Sequence, residues 1–183
     1  MTIQAPAAST SLPDALALGS GAMFELLADN LARNVGYRLL TILVSEPNAP
    51  CLSRVFSTNE TQYPLGAADP IEDTIWFRRL FSDGEAIVAN DSVEIDNWLP
   101  GFDAYVDQGY GSLANVPVVV HGATVGLLNL MDVAGHFTAE RVARLKQELP
   151  VAALAIFAAR IATQGADLFL SVLSSETAAK DPV

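Results

Sequence analysis

One arginine stands on a strand of otherwise apolar character. In Leu52-Ser53-Arg54-Val55-Phe56-Ser57 the alternation puts Arg54 on the face of Leu52 and Phe56, since residues two apart in a strand share a face. A guanidinium on such a face must find an anion or be badly desolvated. A bound carboxylate or phosphate would satisfy it, and so would an internal ion pair with an acidic residue such as Asp91 or Asp103. Asn115 and Asn129 fall on neighbouring strands, where side-chain amides either read a ligand or tie down a loop. The other chemistry-bearing residues point to less. His121 and His136 have no second histidine or cysteine at metal spacing and read as exposed turn and loop residues, so no metal site is expected. Cys51 is the only cysteine, which excludes an internal disulfide and a Cys-rich zinc site. Gly109, Gly111, Gly122, Gly126 and Gly135 form no phosphate loop, so nucleotide hydrolysis has no support. Ser112 has no histidine base beside it in sequence, and no catalytic residue is identified.

The elements that position these residues are read from periodicity. Ala22, Met23, Leu26, Leu27, Leu31 and Val35 recur at helical spacing behind Ser20 as N-cap, predicting a helix over 21–34 ended by Gly36; a short helical turn over 12–18 precedes it, behind Asp14. Residues 37–45 are apolar or β-branched on both faces, as in a strand covered on both sides, and 52–57 returns as its hairpin partner. Residues 59–70 read as loop, Asp73 as the cap of a short helix carrying Ile75, Trp76, Leu80 and Phe81, and 85–89 as a short strand. From 90 to 110 no period is sustained, yet Trp98, Phe102, Tyr105 and Tyr110 gather there, a composition that usually covers something. Residues 115–120 and 123–133 are the strongest strand pair, joined by His121-Gly122 as a two-residue turn. Thr138 opens a long helix that Pro150 should kink.

A chain of 183 residues with 51% hydrophobic and 17% charged residues makes one globular domain. Ten basic against twenty-one acidic residues leave a net charge of -11, a surface that repels phosphate backbones and anionic membranes, so neither nucleic acid nor membrane is an expected partner. The first dozen residues lack the pattern of a signal peptide, and the longest apolar run, 151–159, is about half of a bilayer span. A cytoplasmic location is expected.

Taken together, Gly111-Ser112-Leu113-Ala114-Asn115-Val116-Pro117-Val118, His121-Gly122, Val125-Gly126-Leu127-Leu128-Asn129-Leu130 and Phe137-Thr138-Ala139-Glu140 resemble the C-terminal half of the GAF domain family, and the likeness spans residues 20–163. Arg54-Val55-Phe56-Ser57, Tyr63-Pro64, Trp76 and residues 112–118 are similar to a group of stand-alone bacterial single-GAF proteins of undefined role. The resemblance implies an α+β fold: a GAF/PAS-like antiparallel sheet of five to six strands, with N- and C-terminal helices on one face and a ligand pocket under an irregular helical segment on the other. It divides the chain into a disordered lead-in over 1–12, a single GAF domain over 13–165 and a partly disordered C-terminal extension over 166–183. It further implies that Arg54, Ser57, Tyr63, Trp76, Trp98, Phe102, Tyr105, Ser112, Asn115 and Asn129 line the pocket, with packing in core and lid as the alternative reading of the aromatics.

Departures from characterised GAF types narrow that function. Free methionine sulfoxide reductases of this fold need more than one cysteine, and their acidic substrate positions fall here on Asn129 and Met131. The acidic pair of the cyclic-nucleotide signature is replaced by Arg141 and Val142, and no cysteine near residues 90–110 could attach a bilin. No cofactor is expected. The reading is a small-molecule-binding sensory or regulatory domain, for a metabolite of anionic or amide-bearing character, acting in trans on a separate protein. An enzyme on this scaffold and a structural or assembly subunit with a self-filled pocket are the alternatives. A homodimer through the terminal helices is expected, because 151–159 is apolar all round and Ala152, Ala155 and Ala159 would admit a partner helix.

Overall fold

The apolar run after Gly36 forms the middle of an antiparallel sheet. The structure, a computed structural model, describes residues 10–45, 51–99 and 108–178, and within these all side chains except those of residues 69 and 164–178. The strands are β1 Leu39–Ser45, β2 Cys51–Ser57, β3 Ala68–Pro70, β4 Ile87–Ala89, β5 Ser112–Val120 and β6 Ala123–Asp132, in the spatial order β3-β2-β1-β6-β5-β4. Every neighbouring pair is antiparallel. The helices are α1 Leu12–Leu18, α2 Ser20–Asn34, α3 Ile75–Phe77 running on into a wide turn over Arg78–Ser82, α4 Ser92–Trp98, α5 Ala139–Gln147 and α6 Leu149–Ala178. This is the α+β architecture expected.

Strand alternation sorts the sheet into two faces. Leu40, Ile42, Val44, Val116, Val118, Leu128 and Leu130 point to one side, where Met23, Leu27 and Leu31 of α2 and Ala152, Ala155 and Ile156 of α6 bury them. Leu39, Leu43, Leu113, Leu127 and Met131 point to the other, beneath α3 and α4. The contact between α6 and the sheet is close at one place. A Cβ on Gly126 would lie 2.6 Å from the carbonyl oxygen of Leu43 and 2.7 Å from Cδ1 of Ile156, so only glycine fits between the neighbouring strand and the helix. The β5–β6 turn is made by His121 and Gly122, with φ of 51° and 75°, the two positive-φ positions such a hairpin requires.

Several local expectations are corrected. Gly19, not Ser20, holds the N-cap position of α2, and Ser11, not Asp14, caps α1, its Oγ accepting from the Asp14 amide at 3.4 Å. Thr74 rather than Asp73 caps α3, since its hydroxyl accepts from the Phe77 amide while Asp73 pairs with Arg78 at 3.1 Å. The stretch read as loop contains β3, three residues paired to β2 and too short to show alternation. Pro150 does not kink one helix but opens a second: α5 stops at Gln147, and Pro150, which has no amide proton to give, sits in the first turn of α6 where none is needed. That helix continues through residues 166–178.

His136 is also not exposed. Its side chain is only 13% accessible, and its Nε2 lies 3.0 Å from the Gly36 carbonyl and 3.6 Å from Asp132, so it ties the β6–α5 loop to the end of α2. Asn90 fastens the same loop from the other side, donating to the Phe137 carbonyl and accepting from the Phe137 amide as a strand neighbour would. Tyr37 donates to the Ala28 carbonyl at 3.1 Å; burial, then the charges of Asp29 and Glu25, raise its pKa above the ordinary tyrosine value.

Candidate functional site

A polar ladder crosses the face of the sheet turned away from α2 and α6. Asn115 and Asn129 are register partners on β5 and β6, and Asn129 is opposite Thr41 on β1. In antiparallel strands such partners share a face, so three polar side chains stand in a row among Leu39, Leu43, Leu113, Leu127 and Met131. Asn115 Nδ2 donates to Asn129 Oδ1 at 2.7 Å, and Asn129 Nδ2 donates to Thr41 Oγ1 at 3.5 Å. The row is closed at its other end by Trp76 of α3, whose indole Nε1 donates to Asn115 Oδ1 at 2.9 Å. Each link uses one acceptor and leaves a proton behind, on the amide nitrogens and on the Thr41 hydroxyl.

Above the ladder lies a cavity of about 190 Å³ lined by Leu39, Thr41, Leu43, Arg54, Tyr63, Trp76, Leu99, Asn115, Asn129 and Met131. It is smaller than the roughly 300–1,000 Å³ of sites for drug-sized ligands. Its walls are aliphatic and aromatic, and its polar groups are mostly donors. Arg54 enters from β2, held by a hydrogen bond from Nη1 to the Pro64 carbonyl at 3.2 Å and lying 5.8 Å from the centre of the Tyr63 ring. Tyr63 in turn donates to Gln108 Oε1 at 3.2 Å, so the loop after β2 is tied to the segment before β5 at the wall of the cavity that Tyr63 forms. Among the described lining residues there is no carboxylate, histidine, cysteine or lysine.

Of the ten residues read as pocket lining, the structure brings five together here: Arg54, Tyr63, Trp76, Asn115 and Asn129. Phe102 and Tyr105 lie outside the described residues, as does Asp103. The other acidic candidate for Arg54, Asp91, accepts from the Glu94 amide at 2.8 Å and caps α4. Trp98 packs with Leu43, Leu52 and Leu80 beside the cavity rather than on its wall. Ser57 shares the face of Thr41 but accepts from the Asn59 amide at 3.1 Å and does not reach the cavity. Ser112 is corrected: it is three residues from Asn115, hence on the opposite face, and its fully buried Oγ has no hydrogen-bond partner among the described residues. A second correction concerns the face of Arg54. A bulge between Ile42 and Leu43 shifts the β1–β2 register so that Arg54 stays with Leu52, while Phe56 turns to the helical side and meets Phe24 at 6.0 Å. The residue missed by sequence reasoning is Thr41. Its signal is a single hydroxyl inside Leu39-Leu40-Thr41-Ile42-Leu43-Val44, at a residue whose β-branching already suits a strand.

The family model described as the GAF domain matches residues 21–163. Among solved structures, the GAF domain of a two-component sensor histidine kinase from Bacillus halodurans superposes with a TM-score of 0.62 at 16% identity, covering 84% of this chain and 99% of that one. The GAF domain/HD domain protein from Geobacter sulfurreducens gives 0.62 at 12%, covering 78% and 94%. The second GAF domain of DevS from Mycobacterium smegmatis gives 0.52 at 20%, covering 81% and 99%. At these identities the superpositions establish the fold alone. No curated protein matches the chain.

Proposed function

We propose, from the premise that this chain belongs to the GAF domain family, that the cavity over the Trp76–Asn115–Asn129–Thr41 ladder binds a small metabolite and that the protein serves as a sensory or regulatory domain. GAF domains generally bind small molecules in sensing or regulation. The observation that carries the reading is the ladder itself: Thr41 and Asn115 buried and Asn129 half-buried, side by side in an apolar sheet face, with donor protons left over after they have paired with one another. A ligand that complements them presents acceptors, a carboxylate or carbonyl, toward Arg54, Thr41 and the two amides, and an apolar body toward Leu39, Leu43 and Met131. Catalysis is the weaker reading, because the described lining lacks an acid–base pair. A thermal-shift screen of small carboxylates and amides tests it. A true ligand at a hundred times its dissociation constant adds about 2.7 kcal/mol of stability. Arg54→Ala is expected to abolish that shift; a flat screen, or a shift unchanged in Arg54→Ala, would refute the assignment.

The second element of the proposal is a homodimer built on the terminal helices. Leu154, Phe157 and Ile161 of α6 are 40%, 36% and 69% exposed and recur at helical spacing, and Leu16 and Leu18 of α1 are exposed as well. Of the three alanines expected to admit a partner helix, Ala152 and Ala155 are fully buried against the sheet side of α6, as is Ile156, and Ala159 is half-buried against the same core. The informative variant is Phe157→Glu with Ile161→Glu. Light scattering at micromolar concentration is expected to give a mass twice 19.4 kDa for the parent and a folded monomer for the variant. A parent that is monomeric throughout would remove the dimer from the proposal.

A further inference from the structure

Ten basic residues are scattered against twenty-one acidic ones, yet three arginines converge on one cleft where the end of α2 meets the start of α5. Arg33, Arg141 and Arg144 line it with Asn34, Gly36 and Thr138, around a volume of about 330 Å³ on the helical side of the sheet, away from the ladder. We propose that this cleft is a second ligand site, for the dianionic end of inorganic phosphate or a phosphate monoester.

The argument rests on what the three guanidinium groups already do. Arg33 Nη2 donates to Asn30 Oδ1 at 2.7 Å, a contact within its own helix. Arg141 Nη1 donates to the Val35 carbonyl at 2.6 Å and lies against the His136 ring, with Nε2 at 2.7 Å. Arg144 Nη2 meets Glu140 at 2.6 Å, and its Nη1 reaches the Asn34 carbonyl at 3.4 Å. A guanidinium carries five N–H donors, so most of the donors of the trio are not spent on described residues. Capping the last carbonyls of α2 accounts for one nitrogen each of Arg141 and Arg144 and for nothing of Arg33. Of the cleft's residues only Glu140 is acidic, and neither Arg33 nor Arg141 has a carboxylate partner among the described residues. Bringing like charges together in a chain rich in carboxylates costs Coulomb energy that a bound anion recovers. The planar forks suit tetrahedral oxyanions, whose oxygens accept pairs of parallel N–H bonds. The first turn of α5, capped by Thr138, adds its partial positive charge, set against the negative end of α2 on the other wall of the cleft.

The test is an amide NMR titration at constant ionic strength with inorganic phosphate and, in a parallel series, glycerol 3-phosphate. Saturable shifts are expected at Gly36, Arg141 and Arg144 in at least one series, and the tighter series identifies free phosphate or ester as the better ligand. Arg33→Gln with Arg144→Gln leaves the Arg141 cap on Val35 in place and is expected to weaken binding at least about tenfold. Arg54→Ala, on the opposite face of the sheet, is expected to leave it unchanged. Non-saturating shifts in both series, equal affinity in the double variant, or loss of binding in Arg54→Ala would each overturn the proposal.

Discussion

Gly126→Ala is expected to cost about 3 kcal/mol of stability, and Gly126→Val more, because the added Cβ meets the Leu43 carbonyl at 2.6 Å and Ile156 Cδ1 at 2.7 Å. The first of these neighbours is backbone in the central strand pair and cannot rotate away. The second is a fully buried side chain of α6 wedged between helix and sheet. Relief therefore requires β1 to part from β6 or α6 to lift, and both moves open the larger of the apolar layers. For a chain of this length each kcal/mol lowers Tm by roughly 2–4 °C, so Gly126→Ala should melt about 6–12 °C below the parent. The control is Gly122→Ala, where no atom of the described residues lies within 4 Å of the new Cβ and the positive φ of 75° opposes it. Equal melting points for parent and Gly126→Ala would show that the helix does not rest on this strand as described.

The second large effect is expected at the ladder. Asn115→Leu keeps the size of the side chain but leaves the Trp76 indole without its acceptor and Asn129 Oδ1 without its donor. A fully buried group left unpaired costs about 1–3 kcal/mol, and because Trp76 and Asn129 are half-buried the two together are expected to cost about 1–3 kcal/mol in urea unfolding. Removing both amides is expected to be less damaging than the sum of the two single changes, because Asn115→Leu with Asn129→Leu leaves no stranded amide pair. A double-mutant cycle with zero coupling would mean that the two amides do not bond to each other. In the ligand screen, Asn115→Leu and Asn129→Leu should abolish any stabilisation that depends on Arg54.

The sheet was legible in the sequence because its strands differ from loops in kind: β5 and β6 announce themselves as apolar runs covered on both faces and by the His121-Gly122 turn between them. The pocket was legible only in part. Asn115 and Asn129 could be placed on neighbouring strands, but that they stand opposite each other depends on the hairpin register, which a bulge between Val118 and Val119 adjusts. Ser112 is placed in the pocket only by the family resemblance, and its odd spacing from Asn115 sends it to the other face. Phe56 was assigned by strict alternation, which holds until a bulge inserts one extra residue. The arginine cleft has no local signature at all. Arg33 is more than a hundred residues from Arg141 and Arg144, and only the packing of α2 beside α5 brings them together.

The strand order has a consequence for how the chain is made. The two central strands are the first and the last, with Leu39 opposite Met131, a separation of roughly ninety residues whose closure entropy must be met before any of the pairing is gained. As the chain leaves the ribosome, β1 and β2 can pair once Ser57 has emerged, but the opposite edge of β1 stays open until β6 follows. Thr41 is delivered early, while Asn115 and Asn129 arrive together in the last hairpin and meet it only when the sheet closes. A metabolite bound on that row can thus stabilise the finished domain without templating its earlier intermediates.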